Sequence, residues 1–172
     1  MAKYQTKKIG ILGGSFDPAH KGHLTISKIA MKKIDLKMVY WIVTKKNPFK
    51  KKPFYSLKQR MTKAKYIAKK NKNIKVLCID DTIKSSRSID VIKYLLKNNY
   101  SKNLYFIIGS DILLELHKWK SWKKLVKLTK LIVFSRKGYD KKSRESIVAK
   151  HLNKNKVIFI KNKPIKISSS IL

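Results

Sequence analysis

The sequence predicts an α/β fold in which one doubly wound parallel sheet is covered by helices on both faces. Short apolar runs alternate with stretches of helical spacing from one end of the chain to the other. These apolar runs are nearly continuous rather than alternating with polar residues, which is typical of parallel strands buried on both faces. With 172 residues, 43% of them hydrophobic, the chain is expected to form a single domain over residues 1–172.

The same pattern places each strand and helix along the chain. Strands are expected at residues 9–12, 38–44, 74–79, 104–108, 131–134 and 157–160. Helices are expected at residues 24–34, 57–68, 89–96, 112–116 with 122–128, and 143–152. Ligands of such sheets bind beyond the carboxyl ends of the strands, where the strand order reverses. The functional residues are therefore expected in the loops that follow strands.

The formal net charge of +34 raises the question of a nucleic-acid partner. Lysine supplies 39 of the 43 basic residues, whereas arginine, which reads bases and stacks on them, supplies only four. The lysines are spread along the whole chain, which favours a compositional bias over a selected nucleic-acid surface. No specific nucleic-acid partner is therefore expected.

The distribution of apolar residues predicts a soluble cytoplasmic protein, monomeric or a small homo-oligomer. No apolar run approaches the ~18 residues that a membrane span needs, so no membrane partner is expected. The basic N-terminus is followed only by the short apolar run 9–12, which does not fit a signal peptide. The single cysteine, Cys78, lies in an apolar run and is expected to be a small buried core residue.

Residues 13–23 have the features of an anion site at a strand-to-helix turn. Gly13 and Gly14 are expected to permit unusual backbone conformations and the close approach of a ligand. His20 and His23 are three residues apart, so on the first turn of a helix their rings point the same way. Imidazoles can donate to phosphate oxygens and, when protonated, add positive charge. The chain has neither a P-loop pattern nor a dinucleotide-binding glycine pattern.

These eleven residues, Gly-Gly-Ser-Phe-Asp-Pro-Ala-His-Lys-Gly-His, resemble the signature of the nucleotidyltransferase superfamily that transfers AMP or CMP from a nucleoside triphosphate. Within it they resemble the bacterial nicotinate-nucleotide adenylyltransferases. The resemblance implies a Rossmann-like nucleotidyltransferase fold, with His20 and His23 as catalytic residues. It also implies a mononucleotide contact from Asp17 and ATP contacts from Gly13, Gly14, Ser15, Phe16, His20 and His23.

Weaker matches at the next strand ends imply the mononucleotide site. Lys50 matches a family lysine or arginine near the mononucleotide phosphate. Ser88 and Asp90 match part of a Tyr-Thr-x-Asp-Thr helix opening, in which Arg87 stands in place of the tyrosine. Ser88 is also expected to cap that helix through its hydroxyl. Arg60, within a Gln-Arg-Met string of the family, fits either a structural salt bridge or a ligand contact.

Further matches along the second half of the chain imply contacts to both substrates. Asp111 belongs to a Gly-x-Asp match, and its carboxylate can accept hydrogen bonds from a ribose or from a backbone amide. Trp119 matches the aromatic residue that holds the pyridine ring, whereas Trp122 and His117 are expected to pack. Arg136, in an Arg-x-Gly-Tyr match, is expected to bind a phosphate with its planar guanidinium.

The end of the chain resembles a helix start that grips the triphosphate. Residues 167–172 match Ile-Ser-Ser-Thr-x-x-Arg in part, which implies ATP contacts from Ser168, Ser169 and Ser170. The family arginine would come one residue after Leu172, and the C-terminal helix of the family is expected to be missing.

The expected activity is adenylyl transfer from ATP to nicotinate mononucleotide, giving deamido-NAD and pyrophosphate. Mg²⁺ is expected to arrive with ATP, because no cluster of carboxylates suggests a metal site built by the protein. Two alternatives stay open. One is a sister enzyme such as pantetheine-phosphate adenylyltransferase. The other is a basic nucleic-acid-binding protein on a damaged nucleotidyltransferase frame.

Overall fold

A computed structural model describes residues 7–47, 51–98 and 100–162. Its strands are β1 (Lys8–Gly14), β2 (Met38–Val43), β3 (Ile74–Leu77), β4 (Asn103–Gly109), β5 (Lys130–Phe134) and β6 (Val157–Ile160). They form one sheet in the order β3-β2-β1-β4-β5-β6, and every neighbouring pair is parallel. The predicted doubly wound parallel sheet is confirmed, and the strand order reverses between β1 and β4.

The helices lie in the crossovers between these strands. They are α1 (Lys21–Ile34), α2 (Leu57–Ala68), α3 (Asp80–Ile83), α4 (Ser88–Lys97), α5 (Ser110–Glu115), α6 (Trp122–Leu128), α7 (Asp140–Arg144) and α8 (Ile147–His151), with 3₁₀ turns at Leu116–Lys118 and Lys154–Lys156. Within the described ranges, no helix has the length and the apolar character that crossing a bilayer would require.

The sheet separates two apolar clusters, because successive side chains of a strand point to opposite faces. Ile11 of β1 and Phe106 of β4 are opposite each other in the register and lie in the cluster that residues of α4, α5, α6 and α8 complete. Leu12 and Trp41 lie in the other cluster, beneath α1 and α2. Both faces are therefore buried, as the nearly continuous apolar runs predicted.

The single helix expected at residues 143–152 is wrong, because two short helices occupy this stretch. The first of them, α7, ends at Arg144. Ser146 then starts α8, since its hydroxyl accepts a hydrogen bond from the amide of Ala149 (3.1 Å). A serine that caps a new helix interrupts the first one without disturbing the apolar spacing on which the prediction depended.

The expectation for Cys78 was also wrong. Strand β3 ends at Leu77 rather than at residue 79, so Cys78 lies in the loop after the strand and is only half-buried. Its partial burial raises the pKa of the thiol. The cysteine is therefore a poorly reactive side chain at the edge of the core.

Candidate active site

The carboxyl ends of β1 and β4 meet where the strand order reverses, at the place that this class of sheet uses for ligands. Strand β1 ends at Gly14, whose carbonyl accepts a hydrogen bond from the amide of Thr44 after β2 (3.0 Å). Strand β4 ends at Gly109 and leads directly into α5. The residues predicted from the opening motif lie at this edge of the sheet.

Gly13 and Gly14 continue β1 and pair with Ile42 and Val43 of β2. The predicted unusual backbone conformation is therefore wrong for both glycines; the residue with a left-handed backbone is Phe16, at φ 50°. The other expectation fits the geometry, because Gly13 is exposed and a Cβ built on it would meet no atom within 4 Å. The strand thus ends beside open space in which a ligand can approach the backbone.

His20 and His23 form a reciprocal cap at the start of α1. The amide of Gly22 donates to Nδ1 of His20 (3.1 Å), and the amide of His20 donates to Nδ1 of His23 (3.2 Å). The ring centroids are 4.0 Å apart. Because each Nδ1 accepts a hydrogen bond, the neutral ring of each histidine carries its proton on Nε2. Both rings are thus fixed as neutral donors, rather than as the cations that the sequence also allowed.

The pKa of His20 is lowered from the ordinary value of 6.5, first by burial of the ring and second by the positive charge of Arg136. The unfolded chain therefore holds the His20 proton more tightly than the folded chain does. Protonation of His20 thus makes the folded state less stable as the pH falls below the ordinary histidine pKa. At neutral pH the ring is uncharged.

An NMR titration of the His20 ring is expected to give a midpoint below 6.5. Replacing Arg136 with glutamine should raise that midpoint, because the cation that opposes protonation is gone. Arg144→Gln is the matched control, since the Arg144 guanidinium lies over the Phe159 ring, 4.0 Å from its centroid. Equal midpoints in the wild type and in Arg136→Gln would contradict this account of the site.

Asp111 and Arg136 join the site from the ends of β4 and β5. Nε of Arg136 lies 3.8 Å from Oδ1 of Asp111, and the amide of Arg136 donates to the Ser110 hydroxyl (2.9 Å). Gly109 makes this pair possible, because a Cβ at that position would collide with the Asp111 carboxylate and would lie 3.1 Å from the Arg136 Nε. Asp111 and Arg136 are therefore both on the β4–β5 side of the histidines.

The Phe16 side chain is buried against His23 and does not face the open space beside Gly13. Its side chain is 3% exposed and stacks on Trp41 at a centroid distance of 5.3 Å. The centroid of the His23 ring lies 4.6 Å from that of Phe16. Trp41 is held in turn by donating from Nε1 to the hydroxyl of Ser27 in α1 (2.8 Å). A contact of Phe16 with ATP would therefore have to come from its backbone.

Arg60 is the main structural residue of the site that sequence reasoning left undecided. It is 2% exposed, and its guanidinium donates to four backbone carbonyls and to no carboxylate of the described residues. The acceptors are Ser15 (2.6 Å), Thr44 (2.8 Å), Tyr55 (3.1 Å) and Lys45 (3.3 Å). The structure thus gives Arg60 a third role, different from the salt bridge and the ligand contact that the sequence allowed. Arg60 ties together the loops after β1 and β2 and the turn before α2.

Asp17 joins the same network from the opening motif. Its two carboxylate oxygens accept hydrogen bonds from the amides of Phe54 (2.7 Å) and Tyr55 (2.9 Å). The carboxylate thus holds the start of the α2 region against the loop after β1. A contact of Asp17 with the mononucleotide stays a prediction.

A cleft of about 600 Å³ opens beside the ends of β2 and β3 and is lined by Lys46, Arg87 and Asp90 among others.

Ser88 is the first residue of α4 and not its cap, so the predicted capping role of its hydroxyl is wrong. Arg87 stands at the cap position without a side-chain hydrogen bond. The hydroxyl of Ser85 makes the side-chain hydrogen bonds near the start of α4: it accepts from the Arg87 amide (3.2 Å) and donates to the Asp90 carboxylate (2.7 Å).

Comparison with known proteins decides the family. The model of the cytidylyltransferase-like family matches residues 11–172. A probable nicotinate-nucleotide adenylyltransferase of Pelagibacter ubique is 48% identical over 165 residues, which are 96% of this chain and 91% of that protein. The chain belongs to the cytidylyltransferase-like family, and within it to the nicotinate-nucleotide adenylyltransferases.

Further relatives of this adenylyltransferase family agree in length and in fold. The probable nicotinate-nucleotide adenylyltransferase of Aquifex aeolicus is 32% identical, and the match spans 93% of this chain and 98% of that protein. The nicotinic acid mononucleotide adenylyltransferase of Plasmodium falciparum, solved in complex with NaAD, superposes with a TM-score of 0.77. That comparison covers 96% of this chain and 82% of the other at 20% identity, so it bears on the fold alone.

In this adenylyltransferase, Trp119 and Trp122 both pack against the cluster that contains Phe106. Trp119 contacts Phe106 edge-to-face at 6.2 Å, and Trp122 contacts His151 in the same manner at 5.0 Å. Both rings are only partly buried. Packing was the expectation for Trp122. Trp119 packs as well, and its contact with the pyridine ring stays a prediction. His117 is also half-buried, as a packing role requires.

Some predicted contacts cannot be placed in the site. Lys50 and the serines Ser168, Ser169 and Ser170 lie outside the described residues. Among the residues that are described, no group of three or more histidine, cysteine or acidic side chains could hold a metal ion.

Proposed function

We propose that this adenylyltransferase joins the adenylyl group of ATP to nicotinate mononucleotide, forming deamido-NAD and pyrophosphate. A phosphate oxygen of the mononucleotide would attack the α-phosphorus of ATP. The bond from that phosphorus to the bridging oxygen would break, and pyrophosphate would leave with the electron pair. No covalent enzyme intermediate is needed, because this reaction depends on positioning and on charge stabilisation.

The observation that carries the proposal is the pair of neutral imidazoles at the start of α1. Their Nδ1 atoms accept backbone hydrogen bonds, which holds the two rings side by side with Nε2 as the donor atom. Two fixed donors beside an open strand end suit the phosphate oxygens on which charge develops in the transition state. His20 and His23 would supply these hydrogen bonds directly, and the Arg136 guanidinium would add charge nearby.

The two substrates would lie on opposite sides of the histidines. ATP, carrying Mg²⁺, would contact the backbone at Gly13, Gly14, Ser15 and Phe16, with Asp111 and Arg136 on the β4–β5 side. Ser168, Ser169 and Ser170 complete the proposed ATP contacts. The mononucleotide would lie towards β2 and β3, with proposed contacts to Asp17, Ser88 and Asp90. Lys50 and Trp119 are its other proposed contacts. A cytoplasmic enzyme acting as a monomer or a small homo-oligomer fits this role.

Release of pyrophosphate tests the proposal. The purified protein is incubated with ATP and Mg²⁺ and with one acceptor at a time: nicotinate mononucleotide, nicotinamide mononucleotide or phosphopantetheine. We expect turnover with the pyridine mononucleotides and none with phosphopantetheine. Turnover with phosphopantetheine alone would identify a sister enzyme. Steeply salt-dependent binding of duplex DNA without any turnover would favour the nucleic-acid alternative.

Truncation of Trp119 to alanine is expected to raise the KM for the mononucleotide by about tenfold and the KM for ATP much less, because only the pyridine ring would stack there. The measurement is a pair of substrate titrations at saturating second substrate. Trp122→Ala is the matched control and should mainly lower the thermal midpoint. Equal KM increases for both substrates in Trp119→Ala would assign this residue to packing against Phe106 alone.

A further inference from the structure

The cleft beside β2 and β3 is cationic. Lys46, Lys84 and Arg87 line it, and Asp90 is its one acidic lining residue among those described. The Asp90 carboxylate is already engaged, because it accepts from the Ser85 hydroxyl (2.7 Å) and lies 3.8 Å from the Lys93 ammonium. The remaining positive charge makes the cleft suitable for an anionic group.

Arg87 is the lining cation best placed to bind a planar anion. Its backbone is fixed, because its amide donates to the Ser85 hydroxyl (3.2 Å) and its carbonyl accepts from the amides of Asp90 and Val91. Its side chain is exposed, and in the described parts of the chain no residue accepts a hydrogen bond or an ion pair from the guanidinium. A fixed backbone carrying an unengaged guanidinium can offer two parallel N–H donors to a carboxylate.

The cleft lies on the side of the histidines that is proposed for the mononucleotide. Lys46 follows β2 by three residues, and Thr44, between them, donates through its amide to Gly14 at the end of β1. Strands in a sheet are about 4.8 Å apart, so the end of β3 is about 10 Å from the end of β1. ATP, proposed for the β4–β5 side, leaves this space to the part of the mononucleotide that is remote from its phosphate.

We propose that the guanidinium of Arg87 binds the carboxylate of the pyridine ring and thereby selects the acid mononucleotide over its amide. The inference rests on the proposed function and adds the residue that determines substrate choice. A carboxylate offers two acceptor oxygens to the guanidinium. A carboxamide offers one acceptor, and its NH₂ donors oppose those of arginine. Arg87 stands where the resembled family commonly has a tyrosine, which lacks this charge.

The test is the ratio of kcat/KM for nicotinate mononucleotide to that for nicotinamide mononucleotide. In Arg87→Ala this ratio should fall by about tenfold to a hundredfold, the effect of losing a charged hydrogen bond. Arg87→Lys should recover part of the ratio, since it keeps the charge but not the planar fork. Lys97→Ala, in the last turn of the same helix, removes a charge outside the cleft and should leave the ratio unchanged.

The outcomes separate this inference from the proposed function. A wild-type protein that turns over the acid mononucleotide, together with an unchanged ratio in Arg87→Ala, overturns the role of Arg87 and leaves the proposed function standing. A wild-type protein that releases no pyrophosphate with either pyridine mononucleotide overturns both. An equal fall in Arg87→Ala and Lys97→Ala would indicate a general effect of net charge and would also overturn the role of Arg87.

Discussion

Replacement of His23 by asparagine is expected to lower kcat by about 10²–10³-fold, the usual cost of losing one transition-state donor. The asparagine side-chain oxygen can still accept the hydrogen bond from the His20 amide, which Nδ1 of His23 accepts in the wild type. The start of α1 should therefore survive, while the donor at Nε2 is lost. Single-turnover kinetics with ATP and nicotinate mononucleotide would measure the effect on the chemical step.

His23→Gln is the matched variant, because its longer amide can place a donor near the position of Nε2. It should recover a measurable part of the rate that asparagine loses. His151→Asn, which removes a ring in edge-to-face contact with Trp122 rather than one at the end of β1, should leave kcat unchanged. If His23→Asn turns over at the wild-type rate, the histidine serves only as a helix cap and the transition state lies elsewhere.

The substitution Arg60→Met is expected to lower the free energy of unfolding by about 3 kcal/mol, because four backbone carbonyls lose their donor in a buried place. For a chain of this size that corresponds to a fall of about 6–12 °C in the thermal midpoint. Below the midpoint, kcat should also fall, since the carbonyl of Ser15 is no longer fixed beside the histidines. Urea unfolding followed by fluorescence measures the first effect.

The comparison with lysine isolates the geometry of Arg60 from its charge. Arg60→Lys keeps the cation, but a single ammonium cannot reach acceptors that belong to three separate segments, so little stability should return. Lys58→Met changes an exposed cation of the same helix and should alter the free energy of unfolding by less than ~0.5 kcal/mol. Full stability in Arg60→Lys would show that the buried charge, and not the several donors of the planar guanidinium, holds the loops together.

The strands and the histidine pair were predictable from sequence because each depends on a local pattern. Nearly continuous apolar runs gave the six parallel strands, with ends that shift by a few residues where β1 continues to Gly14 and β3 stops at Leu77. The spacing of His20 and His23 predicted two neighbouring rings on the first turn of a helix; the rings are neighbours, but His20 is the extended residue that precedes α1. The assignment of these two rings to catalysis stays a prediction, since it concerns a complex with substrates.

The network of Arg60 could not be predicted, because its acceptors are backbone carbonyls that sequence does not distinguish. The sequence offered one signal, the helical spacing that puts Arg60 on the same face as Leu57 and Ala64. The same limit explains Ser88, where Ser85 makes the hydrogen bonds near the start of α4. Which serine of a run turns towards an amide depends on the loop conformation, and three serines lie within residues 85–88.

In the reciprocal cap of α1 the same two imidazole rings accept backbone hydrogen bonds through Nδ1 and would donate to phosphate through Nε2. Most helices begin with serine, threonine or an acidic side chain, which ordinary acidity changes leave able to accept an amide hydrogen bond. Here a proton added to Nδ1 of either imidazole would abolish that acceptor and would also replace the neutral donor at Nε2 with a cation. Acidification would thus weaken the hydrogen bonds at the start of α1 and would at the same time remove the neutral donors of the proposed phosphate site. A substitution of either ring has the same double effect: unless the new side chain also accepts a backbone hydrogen bond, it removes a cap of α1 together with a donor of the proposed phosphate site.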